Sequence, residues 1–371
     1  MKKLIISLFA LAFGICNAQM LQEPVLQKEK SNTSDFFSRR ELAAVVALEA
    51  HQDALVGAYD MERVIVLEDM ILIQRVDECV LAFQKDGKFL FCIEPDNTLI
   101  DFTVLDKDKQ IVLYSDNAEL SFYSMTGKLQ NTIAIPNAYY EGMVAADKNM
   151  LLFYYPYGIN PEIALMRAYD FQNNLWSDAC DIRSNHFDVG IRGEKWVRSN
   201  HLTGCNHLSN EVLCYKENKL SPIGSVSIPN FVQKEFVEAY HLNEEGKGAD
   251  YIRQNSSRNI VYSLTGVREN EKFLTMMTNE HPFIWIDKTD GSAHWSNAGD
   301  PNFGSNTMVY FPHSAADNQT MFCIYPATGL TGSKYEFVPS AVNYDKIPAK
   351  LTDQVKAING SNTVLLFYKE K

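Results

Sequence analysis

The stretch "FQKDGKFLFCI" runs from Phe83 to Ile93 as strand, turn and strand, and its grammar returns from Phe122 as "FYSMTGKLQNTIAI". Looser versions follow as "YDFQNNLWSDACDI", "YKENKLSPIGSVSI" and "IDKTDGSAHWSNA". In the clear copies an apolar or alternating strand enters a turn built on Asp-Gly, Thr-Gly or Asn-Asn, and a second strand leaves it. The turn residues Gly87 and Gly127 lie 40 positions apart; Asn173 follows 46 later, Asn218 another 45 and Gly291 another 73. A period of roughly 40 to 50 residues carrying four short strands marks one blade of a β-propeller.

The second unit shows the pattern in full. "IDFTVLD" reads as the inner strand, "KQIVLYS" as the next, "AELSFYS" as the third and "KLQNTIAI" as the outer one. Solid apolar runs such as "IVLY" suit a sheet covered by a neighbour on each face. The chain has 371 residues, 46% of them hydrophobic and 22% charged, which suffices for one large β domain with a substantial core. No Pro/Gly/Ser-rich linker or shift in composition divides it. The fold expected is an all-β, six-bladed propeller over 43–371, preceded by an N-terminal extension at 19–42.

Residues 1–18 read as a signal peptide: Lys2 and Lys3, an apolar stretch from Leu4 to Ile15, then the small-residue site Cys16-Asn17-Ala18. Lipidation on Cys16 is the alternative, and Ile15 before it fits that pattern poorly. No other apolar run approaches the ~18 residues of a membrane span. Export to the periplasm or cell surface is the expectation. Loss of the two lysines takes the formal charge from −12 to −14, which argues against a nucleic-acid partner. A monomer is expected.

Between the fourth and fifth repeats lies "NFVQKEFVEAYHLNEEGKGADYIRQ". Val232 to Tyr240 fits one amphipathic helix, with Gly246 and Gly248 ending it, and the whole reads as an insertion between blades. Such insertions often mark the binding face of a repeat fold.

Three stretches resemble a family of exported six-bladed β-propellers abundant in Bacteroidetes, many of unassigned function. "VVALEAHQDALVG" (45–57) is similar to the family's opening strand, "VLAFQKDGKFLFCI" to its first-blade hairpin, and "NGSNTVLLFYKEK" (359–371) to its closing strand. The resemblance spans roughly Ala43 to the C-terminus. It departs after the first hairpin, where "EPDNTL" stands in place of the family's glycine-rich segment. By period alone, "SRRELAAVVALEAHQDAL" fits a helix capped at Ser38. The resemblance implies instead that "AAVVALEA" is a strand completing the last blade beside "TVLLFYK", which leaves no exposed sheet edge.

Inner strands of a propeller line its channel, and loops at one mouth usually form the site. The ligand-binding candidates are Asp101, Tyr139, Glu141, Arg198, His201, Arg253 and His313. Each also reads as a channel-wall group satisfied by its neighbours. In "HLTGCNH" (His201–His207), alternate side chains share one strand face at steps of roughly 6–7 Å, so His201 and His207 do not meet on one ion without a bend at Gly204. No metal and no cofactor is assigned. If Ser209-Asn210 forms a two-residue hairpin loop, Cys205 faces Cys214 at a separation a disulfide spans; two adjacent free thiols are the alternative.

Catalytic signatures are missing: no Gly-x-Ser-x-Gly elbow, His-Glu-x-x-His, phosphate loop or dinucleotide fingerprint. The expected function is an exported module binding a small molecule, glycan, peptide or protein through its channel mouth and loops. The alternative is a metal-dependent propeller hydrolase or lyase, requiring three or more of Asp101, Glu141, Asn200, His201, Arg253 and His313 to converge on the axis.

Overall fold

The computed structural model describes residues 24–27, 29, 31, 33–51, 61–105, 109–135, 140–147, 149–154, 164–179, 196–198, 202–205, 208–216, 219–244, 246–269, 272–281, 283–296, 308–310, 321–325, 342–358 and 363–371. The signal peptide, Asn218, Tyr139, Asn200, His201, His207 and His313 lie outside them.

Six four-stranded antiparallel sheets make up the described strands. The chain opens with helix α1 (Thr33–Ser38) and strand β1 (Arg40–Ala47). The first blade is β2 (Met61–Val66), β3 (Met70–Arg75), β4 (Cys79–Gln84) and β5 (Phe89–Ile93). The second is β6 (Leu99–Leu105), β7 (Gln110–Ser115), β8 (Glu119–Ser124) and β9 (Leu129–Ala134). The third is β10 (Gly142–Asp147), β11 (Met150–Tyr154), β12 (Met166–Asp170) and β13 (Leu175–Asp178). The fourth is β14 (Trp196–Arg198), β15 (Leu202–Cys205), β16 (Glu211–Lys216) and β17 (Lys219–Ser225). Helices α2 (Lys234–Ala239) and α3 (Lys247–Gln254) precede the fifth: β18 (Leu264–Glu269), β19 (Phe273–Thr278), β20 (Phe283–Asp287) and β21 (Ala293–Ser296). In the sixth, β22 (Met308–Tyr310) and β23 (Met321–Tyr325) are followed by helix α4 (Ala349–Lys356) and β24 (Val364–Glu370), and β1 supplies the outermost strand.

Sequence pattern and burial agree along each blade. In β7 every residue after Gln110 is buried, because a blade lies against each face. In β9 almost every residue is exposed, because the outermost strand reaches the rim. The apolar side chains collect into clusters between consecutive blades. Leu72, Val80 and Ala82 of the first blade meet Phe102, Ile111 and Leu113 of the second. Val46, Leu365 and Phe367 of the sixth blade meet Ile71, Leu81 and Phe83 of the first, so the last blade packs on the first as any other pair does.

The chain ends meet in the sixth sheet. β1 pairs antiparallel with β24 from Arg40↔Glu370 to Ala47↔Val364, so "AAVVALEA" is strand as far as Ala47 and the helical alternative fails there. The extension before it is integral to the fold from Pro24 onward. Ser227 N donates to Pro24 O, Leu26 N donates to Ser227 O, and Gln27 N donates to Ala293 O. Leu26, 2% exposed, fills the core between the fourth and fifth blades. Phe36 and Phe37 fill the core between the fifth and sixth.

Two expectations need correction. Gly246 and Gly248 do not end the insertion's helical part: Gly246, at φ +77°, is the N-cap of α3, and Gly248 is buried within it. A left-handed turn at glycine is the cheapest link between two short helices. The Cys205–Cys214 register is also displaced. Cys205 opposes Val212 and Cys214 opposes Thr203, and neither forms a disulfide. The connection from β15 to β16 takes five residues rather than two, with Leu208 at φ 57°, and this slides the pairing.

Candidate functional site

At the start of three inner strands the ladder carries an irregularity: between Met61 and Arg63, Leu99 and Asp101, and Thr265 and Arg268. A bulge inserts an unpaired residue and re-aims the side chains beside it. In each case a buried charged residue closes the bulge: Arg63, Asp101 or Arg268.

Arg63 and Asp101 meet across the first two blades, with Nη1 and Oδ1 2.8 Å apart. The same Nη1 donates to Phe102 O at 2.7 Å and to Met143 O at 2.9 Å, tying three inner strands together. Asp101 Oδ1 accepts from Phe102 N at 2.8 Å, and its Oδ2 accepts from Met143 N at 2.8 Å and from the Tyr154 hydroxyl at 3.3 Å. Burial pushes the Asp101 carboxyl up to about 6 despite the guanidinium and the N–H donors that favour its charged form. Every lone-pair direction of this carboxylate is engaged, so it serves as a tie between blades rather than an open ligand.

Of the other candidates, Glu141 and Arg253 can be placed with their side chains. Glu141 is half-buried beside β10, and its backbone N–H donates to Tyr154 O. Arg253 lies on α3, its side chain 77% exposed and paired with Asp250 one turn earlier, so the inner-strand position expected for it is wrong. The insertion's length displaced the strand count there. Arg198 occupies the inner strand β14, as expected, and its side chain lies outside the described residues. Among the described residues no three His, Cys, Asp or Glu side chains are grouped to hold a metal ion.

A cavity forms elsewhere, in the insertion. The connection from β17 to β18 runs from the rim of the fourth blade to the inner strand of the fifth, so α2 and α3 lie on the face crossed by outer-to-inner connections. The insertion has its own small core, in which Val232, Val237, Leu242 and Ile260 pack with Leu208 from the β15–β16 connection. Asn279, just after β19, pins its exit: its side-chain oxygen accepts from Tyr262 N at 2.9 Å, and its amide donates to Ile260 O at 2.7 Å.

Against this support lies a cavity of about 620 Å³. Its aromatic wall is Phe236, Tyr240 and Tyr251; the Phe236 and Tyr240 rings are 4.4 Å apart and those of Phe236 and Tyr251 5.5 Å apart. Gln233, Glu235 and Arg258 are polar groups on the same lining. Tyr240 is 61% exposed. The signal for this site was present in the sequence, since Phe236 and Tyr240 are four apart and share one face of a helix.

Among solved structures, a Bacteroides fragilis NCTC 9343 protein assigned to export by its name superposes with a TM-score of 0.67 at 14% identity, over 94% of this chain and 99% of that one. BamB from Moraxella catarrhalis matches with a TM-score of 0.40 at 10% identity, over 76% of this chain and 75% of that one. No curated protein matches the sequence significantly. The profile of a family described as a 6-bladed beta-propeller matches residues 17–322. The repeat, the six sheets and that match agree, and the chain belongs to the 6-bladed beta-propeller family DUF5128.

Proposed function

We propose that this protein is an exported binding module that takes a neutral glycan in the cavity of the insertion between its fourth and fifth blades. The observation that carries the reading is the pairing of exposed Tyr240 with half-buried Phe236 on the wall of the 620 Å³ cavity. A sugar ring offers an apolar C–H face to an aromatic ring, and tyrosine adds a polar tip at the edge. Gln233, Glu235 and Arg258 supply the amide, carboxylate and guanidinium groups that hydrogen-bond ring hydroxyls. Cavities of this volume suit ligands of one to a few rings. Export agrees with the lysine-led apolar N-terminus and with the name of the Bacteroides fragilis neighbour.

The test is titration of the mature chain with a panel of neutral oligosaccharides, read by calorimetry, alongside Tyr240→Ala. The reading expects saturable binding of at least one oligosaccharide, weakened about tenfold or more by the loss of one stacking ring. Binding that Tyr240→Ala leaves unchanged, or none across the panel, overturns it.

A further inference from the structure

The walls of the insertion cavity restrict its ligand more closely than its volume does. Two segments of the lining run side by side: Val261 N donates to Asn230 O at 3.1 Å, and Val232 N donates to Val261 O at 2.7 Å. Asn230 Nδ2 also donates to Arg258 O at 3.1 Å, which holds the Arg258 backbone in place beside them. A second wall is one stripe of α2. Gln233, its N-cap, and then Phe236 and Tyr240 follow at i, i+3 and i+7 and share a helix face. Tyr251 of α3 completes the aromatic corner.

The three rings do not make a platform. Two aromatic rings side by side in one plane stand more than about 6 Å apart between centres, because their facing carbons approach no closer than roughly 3.5 Å. Phe236 and Tyr240 are 4.4 Å apart with planes tilted by 31°, so these rings lie partly over one another. Phe236 and Tyr251 are 5.5 Å apart at 56°, with an edge turned towards a face. Phe236 is thus taken up by its two neighbours. Tyr240, 61% exposed, lays one ring face towards Phe236 and keeps the other open. The lining therefore offers one stacking face, together with the Gln233 amide, the Glu235 carboxylate and the Arg258 guanidinium.

We propose that the cavity takes a single gluco-configured pyranose, the end unit of its glycan, and reads no further sugar along the chain. This rests on the reading of the insertion as a glycan site and narrows its ligand class. A pyranose with every hydroxyl equatorial holds its C–H bonds axial, so both ring faces are apolar and one of them covers the open face of Tyr240. Its hydroxyls radiate in the ring plane, where amide, carboxylate and guanidinium groups accept from and donate to them. An end unit presents one more free hydroxyl to those groups than an interior unit, whose hydroxyl is lost to the linkage. Recognition of a chain interior gains affinity by stacking several sugars on aligned rings, and this corner has a single open face.

The experiment titrates the mature chain with β-1,4-linked glucose oligomers of one to five units by calorimetry and repeats the series with Tyr240→Ala. A dimer has two ends and no interior unit, so end recognition expects a Kd that stays level, within about twofold, from dimer to pentamer. Tyr240→Ala should weaken binding by about tenfold, and by the same factor at every length, because all lengths use the same ring. A Kd that tightens about two- to tenfold with each added unit would reveal aligned subsites and overturn the proposal while leaving the glycan reading intact. Binding of other neutral oligosaccharides with none of the glucose series would do the same. No binding by any oligosaccharide would overturn both.

Discussion

Arg63 and Asp101 form a buried ion pair across the inner strands of two neighbouring blades, with side chains 3% and 5% exposed. Neither charge stands alone, since Arg63 also reaches two carbonyls of the second and third blades and Asp101 receives two backbone N–H donors. Removing one member of such a pair leaves the other charge uncompensated in a medium that solvates it poorly. The tie is therefore a place where three blades fail together.

Asp101→Asn tests this with a sign that depends on pH. Burial raises the folded-state carboxyl from 3.8 to about 6. A raised carboxyl favours folding fully below the unfolded value, and that contribution is lost as pH climbs through 6. Its full size is about 3 kcal/mol. Asparagine does not titrate, so the variant should lack this part of the stability slope between pH 4 and 7. At pH 8, where wild-type Asp101 is charged and paired, the substitution should cost about 3–5 kcal/mol. At pH 4 the penalty should be larger, because there only the wild type keeps the contribution of the raised carboxyl. Urea unfolding of both proteins at the two pH values is the measurement; equal penalties would show that Asp101 does not titrate in this range.

Gly142, the first residue of β10, is where this network leaves no room. A Cβ there would overlap the Tyr154 hydroxyl and Asp101 Oδ2. Gly142→Ala should displace the Tyr154 hydroxyl from the carboxylate and cost about 1–3 kcal/mol as overpacking. Chemical denaturation gives the loss. In the Asp101→Asn background the two effects should fall short of additive, because both act on one network.

The fold was legible because its signals are local and repeated. Gly87 and Gly127 both occupy left-handed turns, at φ 93° and 75°, and the third hairpin turns at Asn174 rather than at the expected Asn173. The strands of the second blade follow their apolar runs within a residue or so. The site was harder to read for a physical reason. Asp101 was expected on an inner strand and stands there, but the sequence gives no sign that Arg63, 38 positions earlier, neutralises it across the blade boundary. Arg253 and Cys205 were misplaced because each lies beside a connection whose length sets the register. Trp176 and Tyr140, at opposite edges of the third blade's sequence, likewise stack with ring centroids 5.2 Å apart in the core shared with the second blade.

Gly87 ties the founding hairpin to β1, the strand that completes the sixth blade. Glu49 N donates to Gly87 O at 2.8 Å, and a Cβ on Gly87 would collide with Ala47 O at the end of β1. Gly87→Ala thus meets two penalties, a strained φ of +93° and a backbone collision. The expected cost is about 2–4 kcal/mol, with the amide of Glu49 losing its hydrogen-exchange protection first. Retained protection at Glu49 would mean that the turn relaxes without disturbing β1.

The N-terminal segment should prove structural rather than ornamental. Arg40, buried at the start of β1, places its guanidinium 3.7 Å from the centre of the Phe36 ring and 4.7 Å from that of Phe273, and donates to Phe36 O at 2.9 Å. Phe36 in turn meets the Phe283 ring edge-on at 4.9 Å, so the segment covers the fifth blade with aromatic surface. Phe36→Ala removes a fully buried ring and should cost about 3–5 kcal/mol. Arg40→Lys keeps the charge but loses the planar stack, and should cost less, about 1–2 kcal/mol. Removing residues 19–38 should lower Tm further than Phe36→Ala, because Leu26 and the bonds to Ser227 and Ala293 are lost as well. An unchanged Tm in the truncated chain would show that the sheets hold without this strap, and the stability of the fifth blade would then have to come from the inter-blade contacts alone.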